Sequence, residues 1–244
     1  MSERTLSIVA PAFDEETRIG ALLERVAEAG DAVAAAAGLE LAELIVVDDG
    51  STDGTAAALE RFDGLEGRLR VITFPHNRGK GAAVRAGMLA ATAGRALLTD
   101  VDMSTPLEHL DRLSAALDRG ADVALGSRGL TDSDVVVHQA AYRELMGRGF
   151  NRLLRVLTGL PYRDTQCGFK LFRLSRMRDV FARQRVNGFA FDAEICVLAR
   201  RAGLEVVEIP VRWANDPQTH VRLVSSSAQM ARDLVRIAWL ARRR

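Results

Sequence analysis

Residues 44–53 read Leu-Ile-Val-Val-Asp-Asp-Gly-Ser-Thr-Asp. The apolar run is too short for a helix and suits a strand buried on both faces. Two acids end it. Gly50 to Asp53 then supply a turn and a helix N-cap at Asp53 or Ser51. The same unit recurs on either side. Leu6 to Phe13 is an apolar run closed by Asp14 and Glu15, and Ala96 to Thr99 is closed by Asp100-Val101-Asp102. Helical patterns fill the intervals at Glu16–Ala37, Asp53–Phe62, Gly81–Ala93 and Pro106–Arg119, with further strands at Leu69–Phe74 and Val123–Gly126. This alternation predicts an α/β fold, a mostly parallel sheet flanked by helices on both faces. Such sheets bind ligands beyond the carboxyl ends of their strands, which is where these acids fall.

Beyond residue 130 the pattern changes. Gln139 to Gly159 reads as one helix with a break at Gly147 and Gly149. At about 100° per residue, Met146, Phe150, Leu153, Leu154 and Leu157 share a face opposite Arg148, Arg152 and Arg155. Arg143 falls on the apolar side, which suits either a structural ion pair or an interfacial phosphate. A compact segment, Asp164–Phe172, is followed by a helix at Asp192–Ala202, a strand at Val206–Trp213 and a terminal helix at Ser227–Arg242. The last helix sets Met230, Leu234 and Ile237 against Arg232, Arg236 and Trp239. That composition suits a membrane interface or an ordinary surface helix.

Composition narrows the function. The chain has 244 residues, 48% of them hydrophobic, enough for a substantial core in one domain. A formal charge of +1 gives no global field for nucleic acid. Cys167 and Cys196 form no CxxC pair, which argues against a zinc site or a disulfide scaffold. The first residues lack signal-peptide architecture, and no apolar run approaches the roughly 20 residues of a membrane span. The expected location is cytoplasmic, with membrane contact confined to the surface.

Asp100 and Asp102 are candidates for holding a hard divalent cation against phosphate oxygens, since an extended segment points both carboxylates the same way. Capping explains Asp53 but not two successive acids at Asp48 and Asp49, one of which suits a base imide or a ribose hydroxyl. Phe13 is either core or a neighbour of a nucleobase, with Glu15 facing the ribose or base. Gly79-Lys80-Gly81 opens a helix but is no P-loop, because Gly81 stands where Ser or Thr is required. A helix N-terminus with Arg78 and Lys80 favours a nearby diphosphate. A Gly-rich turn with solvated bases is the other reading.

The strings VAPAFDEE (9–16), VVDDGSTD (46–53), NRGKGAAVRAG (77–87), LLTDVD (97–102) and LGSR (125–128) occur in that order, followed by RDTQCGFKLF (163–172), FAFDAEI (189–195) and EIPVRW (208–213). Together they resemble the family 2 glycosyltransferases of the GT-A fold, and especially the dolichyl- or polyprenyl-phosphate glucosyltransferases. The resemblance implies a Rossmann-like sheet with a C-terminal, acceptor-side helical elaboration. It implies one domain over 1–244, with a nucleotide-sugar half (1–130) and an acceptor- or membrane-facing half (131–244). Pro11, Phe13, Glu15, Val47 and Asp49 would line the base and ribose. Lys80, Asp100, Val101, Asp102 and Arg128 would meet the rest of the donor, with Asp102 the ligand to Mg²⁺ or Mn²⁺. Asp164 and Gln166 would join Asp100 and Asp102 near the transferred sugar. Arg128, Arg143, His220 and Arg222 would meet the acceptor phosphate. Two positions depart from the family: Asp14 replaces the usual Asn, and Thr219-His220 replaces Ser-Lys.

The implied reaction is a single inverting displacement that moves a hexose to a dolichyl or polyprenyl phosphate. UDP-glucose is the preferred donor and GDP-mannose its competitor. An anionic phosphate acceptor needs no general base. A hydroxyl acceptor would need one, and Asp164 and Asp192 are the candidates. The alternatives are the same chemistry on a soluble acceptor, a nucleotidyltransferase, and a nucleotide-sugar binding module without turnover.

Overall fold

The computed structural model describes residues 2–137, 149, 152–214 and 223–242. The strands among them are β1 (Thr5–Ala12), β2 (Glu40–Asp48), β3 (Leu69–Thr73), β4 (Arg95–Leu98), β5 (Val123–Ser127), β6 (Asp134–Val137), β7 (Lys170–Arg173), β8 (Val206–Pro210) and β9 (Arg212–Ala214). The helices are α1 (Ile19–Ala36), α2 (Thr55–Arg61), α3 (Lys80–Ala90), α4 (Leu110–Asp118), α5 (152–158), α6 (Leu174–Arg183), α7 (Phe191–Arg201) and α8 (Leu223–Arg242).

Seven strands form the main sheet in the order β3-β2-β1-β4-β7-β5-β8. All neighbours are parallel except β7, which runs antiparallel to both β4 and β5. The expected mostly parallel α/β sheet is therefore present. Alternate residues of each strand feed two cores. Leu6, Ile8, Leu44, Val46, Leu97 and Leu171 pack with α1 and α4 on one face. Val9, Ile45, Val47, Leu98, Leu125 and Phe172 pack with α3, α6 and α7 on the other. Burial on both faces is why the strands read as continuous apolar runs. Helix α3 lies close against the sheet at Gly87, where a Cβ would come within 2.4 Å of Val9 Cγ1.

Several expected elements differ. The segment 164–172 contains a central strand, β7, and helix α6 follows it; neither was expected. Charged residues stand at both ends of β7, Lys170 and Arg173, which hides its short apolar centre; Lys170 is only 1% exposed. The single strand expected at Val206–Trp213 is two. β8 joins the main sheet, whereas β9 pairs with β6 in a separate two-stranded sheet. The helix expected from Pro106 begins at Leu110, after a 3₁₀ turn at Leu107–His109. Within 139–159, residues 152–158 are helical; 139–148, 150 and 151 lie outside the described residues. Leu154 is buried as expected, but Leu153 on the supposed apolar face is 48% exposed. In α8, Leu234 and Ile237 are buried and Trp239 is exposed, as the periodicity predicts; the Met230 side chain is outside the described set.

Candidate functional site

The loops after β1, β2, β3 and β4 open at one end of the sheet, and a chain of side-chain contacts ties them together. Ser51 Oγ accepts from the Asp14 amide at 3.0 Å, and Asp14 Oδ1 accepts from the Thr52 amide at 2.8 Å. The aspartate in place of the family's asparagine thus laces the first loop to the second. Asp53 accepts from the amides of Glu16 and Thr55, but the N-cap residue of α2 is Gly54, so neither Asp53 nor Ser51 takes the expected cap position. Asp49 reaches the third loop, where its two oxygens accept from the Arg78 and Gly79 amides at 2.7 and 2.8 Å. Burial pushes the Asp49 carboxyl above its usual range despite those two bonds. Lys80 then spans to the fourth loop, 2.6 Å from Asp100 Oδ1. Asp49 and Asp102 therefore lie along one connected rim.

The start of α3 is not an open anion site. The amides of Arg78 and Gly79 go to Asp49, and those of Gly81 and Ala82 go to Asn187 O at 2.7 and 3.3 Å. These amides favour the Gly-rich-turn reading. The Arg78 guanidinium stacks on Phe74, 4.6 Å from the ring centre.

Asp100-Val101-Asp102 is not extended, which corrects the expected geometry. β4 ends at Leu98, residues 101–102 form a turn, and Met103 has φ of 47°. The turn is closed by the Met103 amide donating to Asp100 O and the Ser104 amide donating to Asp102 Oδ1. It still holds the two carboxylates near enough to feel each other's charge. Burial, and then Asp100, push the Asp102 carboxyl upward. Burial also acts to raise Asp100, but Lys80, Lys170 and Arg128 outweigh it and hold it low. The Ser104 hydrogen bonds and Lys80 act the other way on Asp102 without bringing it back to its usual range. Its oxygens are hard donors of the kind a divalent cation takes, although among the described residues no group of three or more His, Cys, Asp or Glu side chains gathers into a metal cage.

Asp164 and Arg128 form the opposite wall. Arg128 Nε and Nη2 donate to Asp164 Oδ2 and Oδ1 at 2.7 and 3.0 Å, a bidentate pair, and the Arg128 amide adds a third bond. The Gln166 amide donates to Asp164 Oδ1. Burial opposes ionisation of Asp164, yet Arg128 holds its carboxyl below the usual range. The Arg128 guanidinium also lies 5.2 Å from the centre of the Trp213 ring. Glu208 accepts from Ser127 Oγ and from the Arg163 and Asp164 amides, so β8 anchors this wall.

The remaining expected residues divide. Phe13 is 39% exposed at the rim, and Glu15 pairs with Arg18 at 2.6 Å. The side chains of Val47 and Val101 are buried in the two cores. Arg143, His220 and Arg222 lie outside the described residues. Sequence reasoning missed Lys170 as a contributor; it is bonded to Asp192 Oδ1 at 2.7 Å and to Cys167 O. The apolar pair Leu171-Phe172, with Lys170 before it and Arg173 after it, was the available signal.

The model for "Glycosyl transferase family 2" matches residues 7–181. A dolichyl-phosphate beta-glucosyltransferase of Drosophila melanogaster is 34% identical over 240 residues, covering 95% of this chain and 74% of that protein. The Saccharomyces cerevisiae protein of the same name is 32% identical, covering 96% and 75%. Among solved structures, glucosyl-3-phosphoglycerate synthase from Mycobacterium tuberculosis, in complex with Mn²⁺, UDP-glucose and phosphoglyceric acid, superposes with a TM-score of 0.68. At 20% identity, covering 98% of this chain and 79% of that one, it shows a shared GT-A fold. The acid-lined rim thus stands on the fold that the motifs imply, and the chain belongs to glycosyl transferase family 2.

Proposed function

We propose that this chain transfers glucose from UDP-glucose to a dolichyl or polyprenyl phosphate, with inversion at the anomeric carbon. The names of the relatives support the donor sugar and the lipid acceptor. One observation carries the acceptor class. Both carboxylates that would serve a hydroxyl acceptor as base are engaged, Asp164 by Arg128 and Asp192 by Lys170. An acceptor phosphate is already anionic near neutral pH and needs neither. Its oxygen attacks the anomeric carbon as the bond to the UDP oxygen breaks, and no proton has to leave.

In this reading residues 1–130 hold the donor and 131–244 face the acceptor and a membrane surface. Pro11, Phe13, Glu15 and Asp49 border the nucleoside. Lys80 and Asp100 lie towards the sugar and diphosphate, and Arg128, with Asp164 and Gln166 behind it, faces the phosphate of the acceptor. Arg143, His220 and Arg222 complete that contact. Asp102 would hold Mg²⁺ or Mn²⁺, which would supply charge neutralisation for the leaving diphosphate. No helix among the described residues is long and apolar enough to cross a membrane. Attachment is peripheral, at the cytoplasmic membrane face, through the basic C-terminal helix.

The deciding experiment offers the purified chain radiolabelled UDP-glucose or GDP-mannose with polyprenyl phosphate or 3-phosphoglycerate, with Mn²⁺, with Mg²⁺ or with EDTA. The expected product is organic-extractable glucose, formed only with UDP-glucose, polyprenyl phosphate and metal. Mannose transfer, transfer to phosphoglycerate, or full activity in EDTA would each refute the corresponding part.

A further inference from the structure

We propose that Lys170 is a positioning residue for the transfer reaction: its buried ammonium ties the turn at Cys167–Gly168 to Asp192 and thereby sets where the Asp100 carboxylate stands. This rests on the glucosyl-transfer reading above and names a part of that same site.

The geometry begins with β7. Lys170 is its first residue, in register with Leu98 at the end of β4 and with Leu125 of β5. Two residues before it, Gly168 passes Asp100 so closely that a Cβ would stand 1.9 Å from Asp100 Oδ2. A Cβ there would push the Asp100 carboxylate out of its place. The Gly168 backbone is thus a wall against which Asp100 rests, and Lys80 presses on the same carboxylate at 2.6 Å. Nζ of Lys170 holds that wall in place. It donates to Cys167 O, the residue beside Gly168, and to Asp192 Oδ1 in the first turn of α7 at 2.7 Å.

Stability alone does not account for this arrangement. The Lys170 and Asp192 side chains are 1% and 7% exposed. Apolar residues of similar volume commonly replace such a pair with no loss of stability, or with a gain. The pair also extends the electrostatics of the site inward. Lys80 feels the charges of Asp100, Asp192 and Asp102, and Asp100 feels both Lys80 and Lys170. Charges therefore alternate from Lys170 through Asp192, Lys80 and Asp100, leaving Asp102 at the open end. An apolar pair would preserve the core but remove the two inner members of that row and release the Gly168 turn.

The test uses the full chain, UDP-glucose, polyprenyl phosphate and Mn²⁺. Lys170→Met leaves Asp192 buried without its partner, so the double variant Lys170→Met/Asp192→Leu is made beside it to keep the core neutral. The double variant is expected to melt like wild type while kcat falls about 100-fold, the scale of a catalytic group displaced by about 1 Å. KM for UDP-glucose should stay unchanged, and the Mn²⁺ needed for half-maximal rate should rise. Gly168→Ala, which leaves Lys170 and Asp192 intact, should show the same split. Wild-type kcat in the double variant overturns the proposal. So does a rate that falls only in step with the folded fraction in both variants. A wild-type chain that moves no glucose sinks the parent reading instead. In that case the Mn²⁺ dependence of UDP binding in the same variants decides for or against the positioning role.

Discussion

At the amino end of the sheet, Glu43 of β2 accepts from Ser7 Oγ, from the amide and hydroxyl of Thr92, and from Arg70 Nη1, all within 2.8 Å. Burial would raise its carboxyl, but these bonds prevail and hold it low. At the same end of the sheet Arg95 donates to Ser114 and Asp118, while its buried Nε has no hydrogen-bond partner among the described residues. At the carboxyl end of the same strand, Asp49 has two amide donors and remains above its usual range. Across the rim, Asp102 has the Ser104 amide as its hydrogen-bond donor and is pushed up by Asp100. At the scaffold end hydrogen bonds hold the Glu43 carboxyl low, whereas at the site end Asp49 and Asp102 both lie above their usual range. Perturbed acids of this kind cluster where ligands bind.

The sharpest way to break this contrast is Asp102→Ala. If Asp102 holds the cation, the variant should fold and melt normally while transfer falls about 1,000-fold, roughly 4 kcal/mol of lost transition-state stabilisation. Wild-type turnover in a rate assay would show that the raised carboxyl at the rim has no catalytic meaning. A smaller effect, on stability this time, is expected at Asp164. Asp164→Asn removes the charge that faces Arg128 in a bidentate pair. Unfolding free energy in urea should drop by roughly 3 kcal/mol, the low end for a buried pair because Arg128 is partly exposed. An unchanged midpoint would mean that the acceptor-side wall does not depend on the pair.

These variants also mark how far the sequence alone could be read. Asp49, Asp100 and Asp102 were legible because each follows an apolar run, so strand and acid announce each other. The sheet and its parallel core follow from that pattern. The acceptor side resisted for a physical reason. Its charges lie inside the fold, so they break the periodicity that reveals elements: Lys170 masked β7, and α6 went unnoticed with it. The Arg128–Asp164 pair joins residues 36 apart, a separation on which local pattern is silent. The turn at 101–102 depends on Met103 taking a positive φ, which its side chain does not signal.

The smallest expected effect separates the two ends of β2 most cleanly, because its sign differs between them. Glu43 has a folded pKa below its unfolded value of 4.5. Its contribution is therefore complete above that value and is lost as pH falls through the lower, folded one. Asp49 has a folded pKa above its unfolded value of 3.8, so its folded state gains relative stability as pH falls through the raised value towards 3.8. Glu43→Gln, which forfeits the bond to the half-exposed Arg70, should cost about 1 kcal/mol at pH 7. That deficit relative to wild type should shrink as urea titrations move from pH 5 to about pH 3. Asp49→Asn should move the other way, with the advantage of wild type over the variant growing as the buffer is acidified from pH 7 towards pH 4. Two variants, one near the start of β2 and one just past its end, whose stability differences respond to acid with opposite sign would establish that the scaffold end is built for ionised carboxylates and the site end holds its acid under strain. Parallel pH profiles would erase the distinction.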